Sequence, residues 1–267
     1  MELPPSELPE PKQIERQRSV AEIIGEALDI YQAYPLLFLI LAIGVIAPYE
    51  LIVLAITHDG PLVSTAHQNV GVTYLLLLLD TAMIGPLVSA LHVHAVLDIG
   101  RGGRPRFQAV VLRALRVLPV VVAAVIVSTA GIALGFLALI VPGVLLALRW
   151  AGVAQVAALE SEGWIPSLRR SRELTRGNYG HIFGLLLITG LLNSGILFGV
   201  RAIPLGSSSG VASVAAGIAA RTITASFSAL TVALLYFDLR ARLAQKPLAG
   251  SRAPEHEHLR DLDPERD

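Results

Sequence analysis

Apolar residues along this chain gather in long unbroken runs, where a soluble protein would show alternation or helical spacing. A helix needs about 20 such residues to cross about 30 Å of hydrocarbon. Six runs reach that length, at roughly 35–57, 72–97, 119–140, 143–160, 181–203 and 222–239. Between the third and fourth only Val141-Pro142-Gly143 intervenes, and Pro142-Gly143 is a turn dipeptide, so these two spans form a hairpin.

Three stretches depart from this pattern and show apolar positions at helical spacing. In the first, Val20, Ile23, Ile24, Ala27, Tyr31 and Tyr34 follow Ser19 and Glu22, which have the spacing of a capping box. The second carries Phe107, Val111, Ala114, Leu115 and Leu118. In the third, Ile165, Leu168 and Leu174 lie between Pro166, suited to a first helical turn, and Gly177 as a stop. Each stretch precedes an odd-numbered span. Aligning Ala27, Ala114 and Ser171 brings Ile30, Val117 and Leu174 into register, which reads as one unit of interfacial helix plus two spans used three times. The competing explanation is that any loop entering a membrane tends to be basic and amphipathic. The fold expected is all-α: a polytopic bundle of six transmembrane helices with three cytoplasmic interfacial amphipathic helices.

Composition supports a membrane protein: of 267 residues 54% are hydrophobic and 16% charged, against about 25% charged in soluble domains. The Pro- and Glu-rich start lacks the basic region and cleavage site of a leader, so none is expected. Residues 1–17 and 243–267 hold too little apolar surface to order themselves and are expected as disordered tails around a membrane domain over 18–242. Without cysteine there is no disulfide, thiolate nucleophile or thiolate metal site.

Arginines set the direction, because short basic loops favour the cytoplasmic side. The second connection holds Arg101, Arg104, Arg106, Arg113 and Arg116, and the fourth holds Arg169, Arg170, Arg172 and Arg176, while the first has no Lys or Arg. Both termini are therefore expected in the cytoplasm, with the chain in the inner (plasma) membrane. With the apolar stripe towards lipid, these arginines meet anionic headgroups, each worth about 1 kcal/mol near such a surface. The loops lack the interleaved aromatics of a nucleic-acid surface, so lipid is the expected partner and no protein partner is identified.

Charges inside the spans are the candidate site. Measured from the outer end of each span, Glu50, Asp80 and Arg149 all lie about 10 Å deep at 1.5 Å per residue. A lone charge at that depth costs at least about 2.5–3.5 kcal/mol, so Arg149 is expected to bridge Asp80, Glu50 or both, with Asn193 as a polar neighbour. Arg221 falls near the outer interface on this count, and the segment before it lies along or dips into the outer face. The cluster reads either as a register device between helices or as an acid able to meet a proton or polar substrate.

Other features are weaker. His92 and His94 are two apart on a helix and cannot chelate one metal together. The run His256 and His258 falls in the expected tail. Gly131 with Gly135, and Gly195 with Gly199, have the small-xxx-small spacing of close helix contacts.

The runs "PGVLLALRW", "ALESEGWIPSLRRSRELTRGNYG", "GPLVSALHVHAVLDIGRGGRPRF" and "LLYFDLRAR" resemble the glycerophosphoryl diester phosphodiesterase membrane-domain family of bacterial integral membrane proteins. The resemblance covers roughly 18–242 and rests on Pro142, Gly143, Arg149, Glu160, Arg170, Ser171, Leu174, Gly177, Tyr236, Asp238 and Arg240. It implies six helices and no phosphodiesterase domain. Where that family often has a proline between the arginine and the glutamate, this chain reads "AGVAQVAALE". Neither a soluble barrel with paired carboxylates for a divalent metal nor an HExxH, GxSxG, Walker or GxGxxG motif is present. The expectation is a non-catalytic membrane protein without cofactor or metal that organises membrane or envelope through anionic lipid. The alternative is a small transporter or lipid-handling permease using the charged layer.

Overall fold

A computed structural model describes residues 15–58, 70–103, 105–160, 163–203 and 210–245. The expectations for the rest of both tails, for Arg104 and for the paired histidines near the C-terminus lie outside the described residues. Among the described residues the chain is helical, and six stretches are long and apolar enough to cross a membrane. Large apolar side chains such as Leu36, Leu75, Leu134, Leu137 and Phe198 point outward, as lipid-facing residues do. The protein is a multi-pass membrane protein of the all-α class.

Helix α1 (Val20–Ala33) starts at the expected box: Ser19 accepts from the Glu22 amide at 3.3 Å, and Glu22 accepts from the Ser19 amide at 2.7 Å. Tyr34 leaves helical geometry, and Pro35 opens α2 (Pro35–Thr57), the first span. The second span begins as α3 (Val70–Leu79), widens into one π turn over Asp80–Ile84 and continues as α4 (Gly85–Gly100). The π turn has a local cause: Pro86 has no N–H to offer the preceding turn, and the Gly85 amide reaches back five residues to the Asp80 carbonyl.

Helix α5 (Phe107–Ala138) is one unbroken rod of 32 residues. The second amphipathic stretch therefore runs directly into the third span. Pro119 does not stop it, so the three aligned stretches differ in form, although Ala27, Ala114 and Ser171 are each fully buried. The hairpin turn also differs from expectation. It falls at Leu139 in extended geometry, and α6 (Ile140–Arg149) carries Pro142 in its first turn, where proline costs no hydrogen bond. Glycines allow the tight return: a Cβ on Gly135 would lie 3.0 Å from the Gly143 backbone, and one on Gly131 would meet the Trp150 ring at 2.6 Å. Gly195 and Gly199 face open space.

The fourth span is broken at Trp150-Ala151-Gly152 and resumes as α7 (Val153–Glu160). A break at membrane depth frees backbone groups that side chains must satisfy. Ser171 and Thr175, on α8 (Trp164–Thr175), supply hydroxyls to the Arg149 carbonyl at 3.1 and 3.2 Å. This explains why the buried face of α8 holds Ser167, Ser171, Leu174 and Thr175, whereas Ile165, expected on the apolar stripe, is turned outward. Replacing Ser171 by Ala together with Thr175 by Val is expected to lower stability by about 1 kcal/mol per hydrogen bond. An unchanged thermal midpoint for that double variant in micelles would discount the hydroxyl clamp.

The fifth span is α9 (Tyr179–Arg201), and α10 (Val211–Ala244) follows with 34 residues, about 51 Å at the usual rise. The segment before Arg221, expected to lie along the outer face, is instead continuous with the sixth span from Val211. Helix α10 is the central post, packed against α1, α2, α4 and α9, with Leu230, Ala233, Leu234, Leu235, Tyr236 and Phe237 almost wholly buried. Helix α4 joins this group to α5 and α7, and α6 packs on α5.

Candidate functional site

Extending α10 back to Val211 moves Arg221 ten residues inside a span, the same distance as Asp80 from Val70. The structure brings these groups together: the Arg221 guanidinium binds Glu50 with one nitrogen and Asp80 with another. Its carbon lies 5.2 Å from the Tyr49 ring centroid, a cation–π distance. The Tyr49 hydroxyl donates to the Leu76 carbonyl at 3.0 Å and fixes α2 against α3. Glu50 and Asp80 thus share one guanidinium as expected, but it belongs to Arg221.

Arg149 is corrected accordingly. It is the last residue of α6 beside the break, its carbonyl faces α8, and its buried Nε has no hydrogen-bond partner. Linear depth points to Arg149 only if the fourth span is one straight helix and the sixth starts after Arg221, whereas the fourth is broken and the sixth starts at Val211. Asn193 is also elsewhere, donating to Ser228 across the α9–α10 contact.

A cavity of about 480 Å³ opens beside the ion cluster. Its walls come from α2, α4, α5, the broken α6–α7 span and α10. Asp80 and Arg221 form its charged side, while Ser89, Ser128, Thr129, Gln155 and Ser228 add polar groups to a surface otherwise lined by residues such as Ile46, Val88, Ile132 and Trp150. Both irregular backbone segments border it: Asp80 and Ile84 from the π turn, and Trp150 and Ala151 from the break. Gln155, only 2% exposed, donates to Ser89 at 2.7 Å and leaves its carbonyl oxygen without a partner. Sequence reasoning missed Arg221, Gln155 and the hydroxyl residues. The signal for Arg221 was the apolar run upstream of it, which joins 211–220 to the sixth span.

The histidines sit apart from this cavity. A carbonyl can only accept, so the 2.8 Å contact with Val88 assigns the His92 proton to Nδ1 and leaves Nε2 to accept from Ser226 at 2.7 Å. His94 is buried, with neither ring nitrogen hydrogen-bonded.

A second polar cluster closes the other end of α10. Asp238 is fully buried; one oxygen accepts the Arg18 amide at 2.6 Å and the other accepts from Arg242 at 2.7 Å. Arg242 also reaches the Arg18 carbonyl at 2.5 Å, and His181 lies 3.1 Å from Asp238 without hydrogen-bond alignment. The Arg18 side chain, itself buried, makes paired contacts to Glu26 at 2.7 and 3.0 Å. Gln17, which sequence placed in the tail, donates to Gln245 at 2.8 Å. Burial raises the pKa of Glu26, but the hydrogen bonds and charge of Arg18, with Arg16, outweigh it and hold the carboxyl below its ordinary 4.5. Its stabilisation is therefore complete above that value and lost as the pH falls towards the depressed one. Thermal stability is expected to drop on acidification below about pH 4.5, less steeply for Glu26→Gln. Identical acid profiles for the two proteins would remove Glu26 from the account.

Of the arginines expected at lipid headgroups, Arg101, Arg106, Arg116, Arg169, Arg172 and Arg176 are exposed. Arg113 is held by Asp98 at 2.9 Å, and Arg170 by Glu160 and Glu173 at 3.1 and 3.2 Å. The Tyr236 hydroxyl donates to Glu160 at 2.9 Å. No family model, curated protein or solved structure matches the chain.

Proposed function

We propose that this protein is a non-catalytic lipid- or amphiphile-handling membrane protein whose binding site is the cavity beside Arg221. The reading rests on the convergence of a π turn, a broken helix and an ion cluster on one 480 Å³ space. Non-helical backbone is tolerated at membrane depth where it is buried or lines a cavity, and discontinuous helices carry the sites of many transporters. The volume falls in the range of small-molecule sites, and a largely apolar wall with a few convergent polar groups suits a molecule with a greasy body and a polar head. A protein that only organised membrane would have no need of this space.

The exposed arginines support a supporting role for anionic headgroups at the basic end. The same arginines support the reading that both termini lie in the cytoplasm and the chain in an inner (plasma) membrane. The resemblance to the phosphodiesterase-associated membrane domains fits this reading but supplies no ligand.

The test is to extract the protein in native lipid particles and identify by mass spectrometry what accompanies it. A lipid or small amphiphile enriched over bulk membrane should be found, and lost when Ala154→Leu fills part of the cavity. Bulk lipid in ordinary proportions with both proteins would sink the proposal.

A further inference from the structure

Charge and hydrogen-bonding capacity in the cavity are unbalanced in one direction. Two carboxylates share a single guanidinium, so the ionised cluster carries a surplus negative charge. Glu50 is 2% exposed and turned to Arg221, whereas Asp80 lines the cavity with about a third of its side chain accessible. One oxygen of Asp80 meets Arg221. The Gln155 carbonyl oxygen, on the fourth span beside Ser89, also lacks a partner but is itself buried. Ser128 and Thr129 add hydroxyl oxygens, and Trp150 lines the same space.

An anionic head would meet repulsion from the surplus carboxylate and would have to take Arg221 from Glu50 and Asp80. A protonated amine meets the opposite situation. It supplies the missing positive charge, and its N–H groups suit the carboxylate oxygens, since charge-assisted hydrogen bonds are the strongest such pairs. The apolar remainder of the cavity, with Ile46, Ile84, Val88 and Ile132, suits the hydrocarbon attached to the amine.

We infer that the cavity binds the N–H-bearing ammonium group of an amphiphile, with Asp80 as its counter-ion. The inference rests on the cavity being a ligand site. The ammonium can belong to a membrane aminophospholipid or to a free hydrophobic amine.

The experiment uses the full chain in phosphatidylcholine nanodiscs, with Trp164→Phe so that Trp150 alone reports by fluorescence. Dodecylamine, dodecyltrimethylammonium and dodecyl sulfate are titrated in turn. Saturable change is expected with dodecylamine, weaker change with the trimethyl compound, which has no N–H, and none with the sulfate. Asp80→Asn should weaken the amine by about tenfold or more, as expected for a lost charge-assisted contact. If that variant does not fold, the ranking of the three probes on the Trp164→Phe protein carries the test. Equal or tighter binding of the sulfate, equal binding of the trimethyl compound, or an unchanged amine affinity in a folded variant overturns the ammonium assignment and leaves the cavity as a site. No saturable binding of any probe, together with no lipid enrichment, overturns the cavity reading itself. Native mass spectrometry from discs of equal phosphatidylethanolamine and phosphatidylglycerol separates the sources. Enrichment of the ethanolamine lipid supports the membrane source, and amine binding without it supports a free amine.

Discussion

Arg221→Met should be among the most damaging single substitutions in the membrane interior, lowering stability by about 3 kcal/mol or more. It leaves Glu50 buried without a counter-charge and sets two carboxylates near one another with nothing between them. Removing one partner of a buried pair is costly because the other charge remains desolvated, whereas neutralising all partners together is close to neutral. The triple variant Arg221→Met, Glu50→Gln, Asp80→Asn is therefore expected to regain most of what the single change loses. Arg149→Met, the substitution that linear depth would rank first, should cost less, because Arg149 has no ion pair among the described residues. Thermal or denaturant unfolding in micelles ranks the variants, and equal losses for Arg149→Met and Arg221→Met would contradict the pairing.

Asp238→Ala is the second large effect, expected to cost about 3–5 kcal/mol, the range for breaking a buried ionic contact. One fully buried carboxylate holds the Arg18 amide and the Arg242 guanidinium, so its loss strands groups on two segments more than 200 positions apart in sequence. Asp238→Asn keeps an acceptor for the Arg18 amide and should lose less. The loss should also be visible locally, as faster tryptic cleavage at Arg16 and Arg18. Unchanged cleavage and unchanged stability would show that the clasp is held by other contacts.

What could be read from the sequence follows from where each property resides. Span positions are carried by long apolar runs, and the start of α1 by Ser19 and Glu22, so both are local and legible. Depth along a span is nearly local as well, which is why Glu50 and Asp80 could be placed in one layer. Their partner is hidden because five alanines, Ser213 and Gly217 weaken the run over 212–220, so the apolar pattern starts the helix after Arg221 rather than at Val211. The break at Trp150–Gly152 was hidden for another reason. Its cost is met by Ser171 and Thr175, twenty or more positions away, and nothing within the span announces them. Pro142-Gly143 misled in the opposite sense, since a proline is as comfortable in a first helical turn as in a loop, and Gly143 is used for close packing. The cavity is least local of all, a gap among five spans.

The length of α10 has a mechanical consequence. Arg221 and Asp238 are seventeen residues apart on one uninterrupted helix, about 25 Å along a stiff axis. A tilt of about 5° about either anchor displaces the other by about 2 Å, enough to part a hydrogen bond. Whatever enters the cavity and draws Arg221 aside therefore pulls, through this lever, on the clasp that holds Arg18 at the entry to α1.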